Sequence, residues 1–212
     1  MIKLAYCNVE DLNLDEVYDT LPHFRQKKVD FYRFDRDKKL SAGAFLLLKR
    51  LLCEAGISDA EFKSEKYGKP YISGRENIHF NISHSNKMVA CAISDREVGV
   101  DVENIDPSID LMIAKNYFHG EEYESIMNAR NKSDEFFRYW VLKESYMKYT
   151  GLGFRLNLND FTINIEDEIK LVGNNRLKFS LFNLSGYKLA VCSAELVGRP
   201  LEYTTDLISK RC

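Results

Sequence analysis

The chain lacks the fingerprints of the commonest nucleotide-binding folds. It has no Gly-x-x-x-x-Gly-Lys-(Ser/Thr) loop and no Gly-x-Gly-x-x-Gly, so neither a P-loop nor a Rossmann reading is supported. It has no Gly-x-Ser-x-Gly elbow, which removes the usual serine-hydrolase signature. In its helical first half the longest apolar run is Ala44 to Leu48, far too short to span a bilayer. Met1 to Cys7 has no long apolar core of the signal-peptide kind and reads as a strand. No Pro/Gly-rich linker and no low-complexity segment interrupts the chain. No excess of one charge is present either: 30 Lys and Arg stand against 32 Asp and Glu, a balance that argues against broad nucleic-acid binding. The five cysteines (Cys7, Cys53, Cys91, Cys192, Cys212) form no Cys-x-x-Cys pair. Cys53, Cys91 and Cys192 sit among apolar residues and read as reduced core thiols of a cytoplasmic protein.

What is present is an ordinary globular composition, 45% hydrophobic and 29% charged, over 212 residues. That length holds one large domain or two small ones. A weak repeat suggests two. Phe80 to Ala92 resembles Phe179 to Ser193, with a one-residue insertion, and each reads as strand, short turn, strand. Each follows a helix. The first is predicted over 35–55, with Leu40, Ala44, Leu47, Leu48, Leu51 and Leu52 as its apolar stripe and Gly56 as its stop. The second is predicted over 133–150, capped by Ser133 and Asp134 and ended by Gly151. The expectation is an α+β protein of two pseudo-symmetric halves, each helices followed by an antiparallel sheet. The division falls near Asp106-Pro107-Ser108, giving halves 1–104 and 105–212 with a site between them.

Two stretches carry chemistry. Gly99-Val100-Asp101-Val102-Glu103 reads as a strand, and its two carboxylates, two residues apart, leave one face. Trp140 to Lys148 reads as a helix on which Trp140, Glu144 and Lys148 share a face, with Lys143 beside them. If the helix crosses the strand, three acids and two lysines meet. Three hard oxygen ligands suit Mg²⁺, and lysines suit phosphates. The plainer alternative for the helix is a solvated charged face with Glu144 and Lys148 as an ordinary pair. Asn81-Ile82-Ser83-His84-Ser85 follows a strand and reads either as a phosphate-holding loop or as a turn held by its own side chains. Tyr67-Gly68-Lys69-Pro70 has the form of a tight turn presenting a lysine, and Arg25, Lys27 and Lys28 form a basic cluster.

Taken in order, Tyr67-Gly68-Lys69-Pro70, Phe80 to Ser85, Gly99 to Glu103 and Trp140 to Ser145 resemble the motif series of the 4′-phosphopantetheinyl transferases. The likeness is to the long, two-halved, surfactin-synthetase-activating type and covers about residues 25–195. It implies transfer of the 4′-phosphopantetheine arm of coenzyme A to a serine of an apo carrier protein (acyl, peptidyl or polyketide), with release of adenosine 3′,5′-bisphosphate. It implies Asp101, Glu103 and Glu144 as Mg²⁺ ligands and Lys143 and Lys148 near the pyrophosphate. It implies Lys69, Ser83 and His84 at coenzyme A, and Arg25 and Lys28 at its 3′-phosphate. Glu144 and Lys148 are the catalytic candidates, Glu144 as acceptor of the serine proton, directly or through a metal-bound water, and Lys148 as stabiliser of the departing charge.

One departure is visible. Where the family often carries a nucleotide-facing arginine, this chain has Lys38-Lys39-Leu40-Ser41, and Lys39 lacks the forked guanidinium. Carrier contacts are expected around 109–131, including Met112, Tyr117, Phe118 and Met127. The implied particle is a monomeric pseudo-dimer with neither nucleic-acid nor membrane partners. Two other functions compete: a degenerate homologue binding coenzyme A or a carrier without turnover, and a Mg²⁺-dependent nucleotide hydrolase.

Overall fold

A computed structural model describes residues 2–210, so Met1 and Cys212 lie outside the described residues. Its elements run β1 (Lys3–Asn8), α1 (Leu14–Val17), α2 (His23–Phe31), α3 (Asp35–Glu54), β2 (Phe62–Ser64), β3 (Pro70–Ile72), β4 (His79–Ser85), β5 (Met88–Ser94), then β6 (Val98–Asn104). The second part continues with α4 (Met112–Tyr117), α5 (Gly120–Asn128), α6 (Lys132–Thr150), β7 (Ile163–Ile165), β8 (Ile169–Leu171), β9 (Lys178–Leu184), β10 (Tyr187–Ser193), β11 (Leu201–Tyr203) and α7 (Thr205–Ser209). The fold is α+β, as expected.

Two sheets form the centre, in the orders β11-β1-β5-β4 and β6-β10-β9. They face one another through a shared apolar layer of Leu4, Met88, Ala90 and Ala92 against Val98, Val100, Val102, Leu189 and Val191. The opposite face of the first sheet, with Ala5, Cys7, Val89 and Cys91, packs under α3. The opposite face of the second, with Ala190 and Cys192, packs under α6. Helix, sheet, sheet, helix is therefore the layer order. It explains why β5 and β10 are buried along their whole length and read as continuous apolar runs rather than alternating ones.

The order strand, long helix, small hairpin, long hairpin occurs twice. It runs β1, α3, β2-β3, β4-β5, and then β6, α6, β7-β8, β9-β10. In this order β6 opens the second repeat, and it hydrogen-bonds to β10. The two long hairpins have equal strand and turn lengths, so the one-residue insertion expected between them is absent. The chain returns to its start at the end: β11 pairs in parallel with β1, and the Tyr203 hydroxyl donates to Glu54 Oε2 at 2.7 Å.

The helix boundaries follow their signals. Gly56, at φ +77°, ends α3 with Ile57 N donating to Leu52 O and Gly56 N to Cys53 O. α6 is capped by Asn131, whose side chain accepts from Asp134 N, rather than by Ser133 and Asp134. Cys7, Cys91 and Cys192 are free and buried, and burial pushes the Cys7 thiol up to about 12. Cys53 departs from the expectation of a core thiol: it is half-buried. No helix among the described residues is long and apolar enough to cross a membrane.

Candidate active site

The site is built where β4 of the first repeat runs beside β6 of the second. The two strands belong to different sheets, and side chains supply the hydrogen bonds that a ladder would. Val100 N donates to Asn81 Oδ1 at 3.0 Å, Val102 N to Ser83 Oγ at 3.3 Å, and Asn104 N to Ser85 Oγ at 3.1 Å. Alternate residues of Asn81-Ile82-Ser83-His84-Ser85 point one way, so three polar side chains line this seam. The same hydroxyls reach the acids: Ser83 Oγ donates to Asp101 Oδ1 at 2.8 Å and Ser85 Oγ to Glu103 Oε2 at 2.6 Å.

On β6, Val98, Val100 and Val102 face the inter-sheet core, which turns Gly99, Asp101 and Glu103 toward α6. Gly99 is required there. A Cβ on it would lie 2.0 Å from Ser145 O and 2.3 Å from Tyr149 N, so any side chain would push the helix away. The close crossing brings Glu144 and Lys148 over the acids. Lys148 Nζ donates to Asp101 Oδ1 at 2.6 Å and to Ser83 Oγ at 2.8 Å.

The electrostatics follow from crowding. Burial, then Asp101, raises the Glu103 carboxyl to about 7, with Glu144 adding to the rise and Ser85 and Lys148 opposing it. Burial, then Asp101, also raises Glu144, against Lys148. The second oxygen of Asp101 is buried without a hydrogen-bond partner. A crowded acid set with an orphaned oxygen suits a divalent cation. Among the described residues no three ligating side chains are arranged to hold a metal as they stand, and the Lys148 ammonium sits at Asp101.

Basic groups extend from this point. His84 projects from β4, and burial, then Lys148 and Lys28, lowers its pKa. Burial, then Arg25, lowers Lys28. The Arg25 guanidinium lies 4.8 Å from the Phe45 ring centre, and its Nε is buried without a partner. Arg25, Lys28, His84 and Lys148 thus form one track leading to the acids. Beside it a cavity of about 300 Å³ has Tyr67, Gly68, Lys69 and Pro70 on one wall and Glu144, Met147, Lys148 and Gly151 on the other.

Several expected residues sit elsewhere. Lys143 is fully buried on the far side of α6, because one residue turns a helix by about 100° away from Glu144. Its ammonium donates to Glu122 Oε1 and to Phe161 O, both at 2.8 Å, and so does not face the site. Glu122 also accepts from Ile163 N and His119 N. No sequence signal marks Glu122, which lies 21 residues before its partner. Lys69 lines the cavity, but its ammonium is engaged by Glu97 and Tyr149 O. Lys39 donates to Glu10 O. Of the expected carrier contacts, Met112 and Tyr117 are exposed, Met127 is half-buried, and Phe118 is core, stacked on Phe136.

Strand register shows that the site occurs once. The position of Asp101 opposite Ala190 corresponds to Ala5 opposite Cys91, and that of Glu103 opposite Lys188 to Cys7 opposite Val89. The counterparts of Ser83 and Ser85 on β9 are Phe182 and Leu184.

Residues 10–96 match the model for the N-terminal region of 4′-phosphopantetheinyl transferases, and residues 97–192 match that of the 4′-phosphopantetheinyl transferase superfamily. The two meet immediately before β6. The chain is 36% identical over 184 residues to the 4′-phosphopantetheinyl transferase Sfp of Bacillus subtilis strain 168, covering 82% of this chain and 81% of that one. A second Bacillus subtilis 4′-phosphopantetheinyl transferase is 33% identical over 181 residues, 80% of each chain. The gsp transferase of Aneurinibacillus migulanus is 34% identical over 181 residues, 80% of this chain and 75% of its own. At this identity and coverage, with acids, lysine and serines converging at the junction of the two matched regions, the chain belongs to the 4′-phosphopantetheinyl transferase superfamily.

Proposed function

We propose that this protein moves the 4′-phosphopantetheine arm of coenzyme A onto a serine of an apo carrier protein, acyl, peptidyl or polyketide, releasing adenosine 3′,5′-bisphosphate. The observation that carries the reading is the meeting of Ser83 and Lys148, from different repeats, on Asp101. Only a junction of both repeats makes this site, and a basic track for a polyanion leads into it.

The chemistry is an in-line exchange of oxygens on phosphorus. The carrier serine oxygen bonds to the phosphorus bearing the pantetheine arm, and the bond to the bisphosphate oxygen breaks. Glu144, with its proton affinity raised by burial and by Asp101, takes the serine proton. Lys148 moves its charge from Asp101 to the pyrophosphate, where negative charge grows as the bond breaks. Arg25 and Lys28 suit the 3′-phosphate, because the Arg25 guanidinium is already fixed on an aromatic ring with an unpartnered nitrogen. Ser83, beside Lys148 in the seam, and His84, on the track, are the β4 residues that meet coenzyme A. Asp101, Glu103 and Glu144 are the residues to hold Mg²⁺, which when bound neutralises diphosphate charge and steers the leaving group. On the same reading the enzyme works as a cytoplasmic monomer with one site per chain, without nucleic-acid or membrane partners.

The test is intact mass spectrometry of an apo carrier incubated with enzyme, coenzyme A and Mg²⁺. A gain of one phosphopantetheine supports transfer. Coenzyme A binding without gain points to a degenerate binder, and coenzyme A cleavage with an unmodified carrier points to a hydrolase.

A further inference from the structure

The two walls of the cleft touch at one deep point. Lys69 Nζ, from the first repeat, donates to Tyr149 O at 2.9 Å, one of the carbonyls left open at the end of α6. A cation is favoured at that helix end. The same ammonium lies 2.5 Å from Glu97 Oε2, and the other oxygen of Glu97 is 2.9 Å from His79 Nδ1. Glu97 sits in the link between β5 and β6, where the repeats join. The stem of Lys69 backs onto the turn after α6, since a Cβ on Gly151 would lie 3.2 Å from Lys69 Cδ. At the rim the walls meet again, with Arg155 4.7 Å from the Tyr67 ring centre.

The geometry points to Glu97 as a positioning residue: it aims Lys69 at the end of α6 and so latches the two repeats at the width the cleft needs for coenzyme A. Lys69 alone has a long flexible stem and three equivalent donors. Glu97 and Tyr149 O together leave it one orientation, while His79 fixes Glu97 from the start of β4. The role is specific to this link. Glu97 is 42% exposed at its side chain and outside the apolar layers, so its replacement removes the latch and leaves the core intact.

The coenzyme A part of the inference rests on the proposed transferase function; the latch itself does not. Hydrogen exchange of the ligand-free protein tests the latch. In Glu97→Ala the amides of 65–69 and 149–152 exchange about three- to tenfold faster, while the sheets are unchanged, as expected for loss of one charge-assisted contact. Unchanged exchange in both segments overturns the latch, as does faster exchange throughout the chain, which marks general destabilisation. In turnover, Glu97→Ala raises KM for coenzyme A about threefold or more with kcat within about twofold, and Glu97→Gln, which keeps an acceptor, lies closer to wild type. A lowered kcat with unchanged KM overturns the positioning role. Absence of transfer by wild type refutes the transferase reading, and the exchange experiment then still decides the latch.

Discussion

Lys148 holds Asp101 at 2.6 Å across the crossing of α6 and β6, and the pair rests on Ser83 from the other repeat. On the proposed function that ammonium serves the departing phosphate. Lys148→Ala is therefore expected to lower kcat by about 10²–10³, the effect of losing one preorganised donor, with a smaller change in KM for coenzyme A. Steady-state kinetics with saturating carrier separate the two. A change confined to KM would make Lys148 a binding residue only.

His84 faces the track rather than the acids. Its replacement by alanine should raise KM for coenzyme A more than it lowers kcat, the mark of uniform binding. Lost turnover at unchanged KM would put His84 in the chemistry.

Lys143 and Glu122 make opposite demands. Removing one partner of a buried ion pair leaves the other charge stranded, which costs about 3–5 kcal/mol. Lys143→Met should lower the melting midpoint by about 10 °C, at about 2–4 °C per kcal/mol, and leave KM for coenzyme A unchanged where the protein is folded. Raised KM at unchanged stability would return Lys143 to the ligand site.

Glu103 sets a pH dependence. Its carboxyl is held at about 7 in the fold against 4.5 ordinarily, so between these values the folded protein binds more protons than the unfolded chain. Without divalent metal, stability should fall as pH rises through that window, by about 1–3 kcal/mol, and Glu103→Gln should flatten the curve and raise the plateau. Denaturant titrations at pH 5 and pH 7.5 measure it. Stability rising with pH would contradict the crowding of the three acids.

Much of this site was legible because its signals are local. The two-residue spacing of Asp101 and Glu103 puts both under α6, and the four-residue spacing of Glu144 and Lys148 puts both above. The paired hairpins announced two repeats. The rest depends on distant partners. Whether β6 joins β5's sheet or β10's is settled by pairing with residues 187–193, which no local pattern encodes. Lys143 and Glu144 are neighbours in sequence on different helix faces, and Glu122 decides which one is structural. Asn81, Ser83 and Ser85 read equally as a turn or a phosphate loop. The structure adds what neither reading holds: they form a seam that stands in for a strand ladder, visible only once β6 lies alongside. Cys53 looked like a core thiol because its neighbours are apolar, but it sits at the half-buried end of α3.

Asp101 is the hub of the site, and its removal separates chemistry from folding. Intact mass of an apo carrier after incubation with coenzyme A, Mg²⁺ and enzyme is the direct measurement. Wild type should add one phosphopantetheine per carrier, while Asp101→Asn, with its fold retained by circular dichroism, should add none, since the hub of three acids, Lys148 and Ser83 has lost its charge. Transfer by Asp101→Asn at the wild-type rate, or an unmodified carrier with wild type, would contradict the assignment.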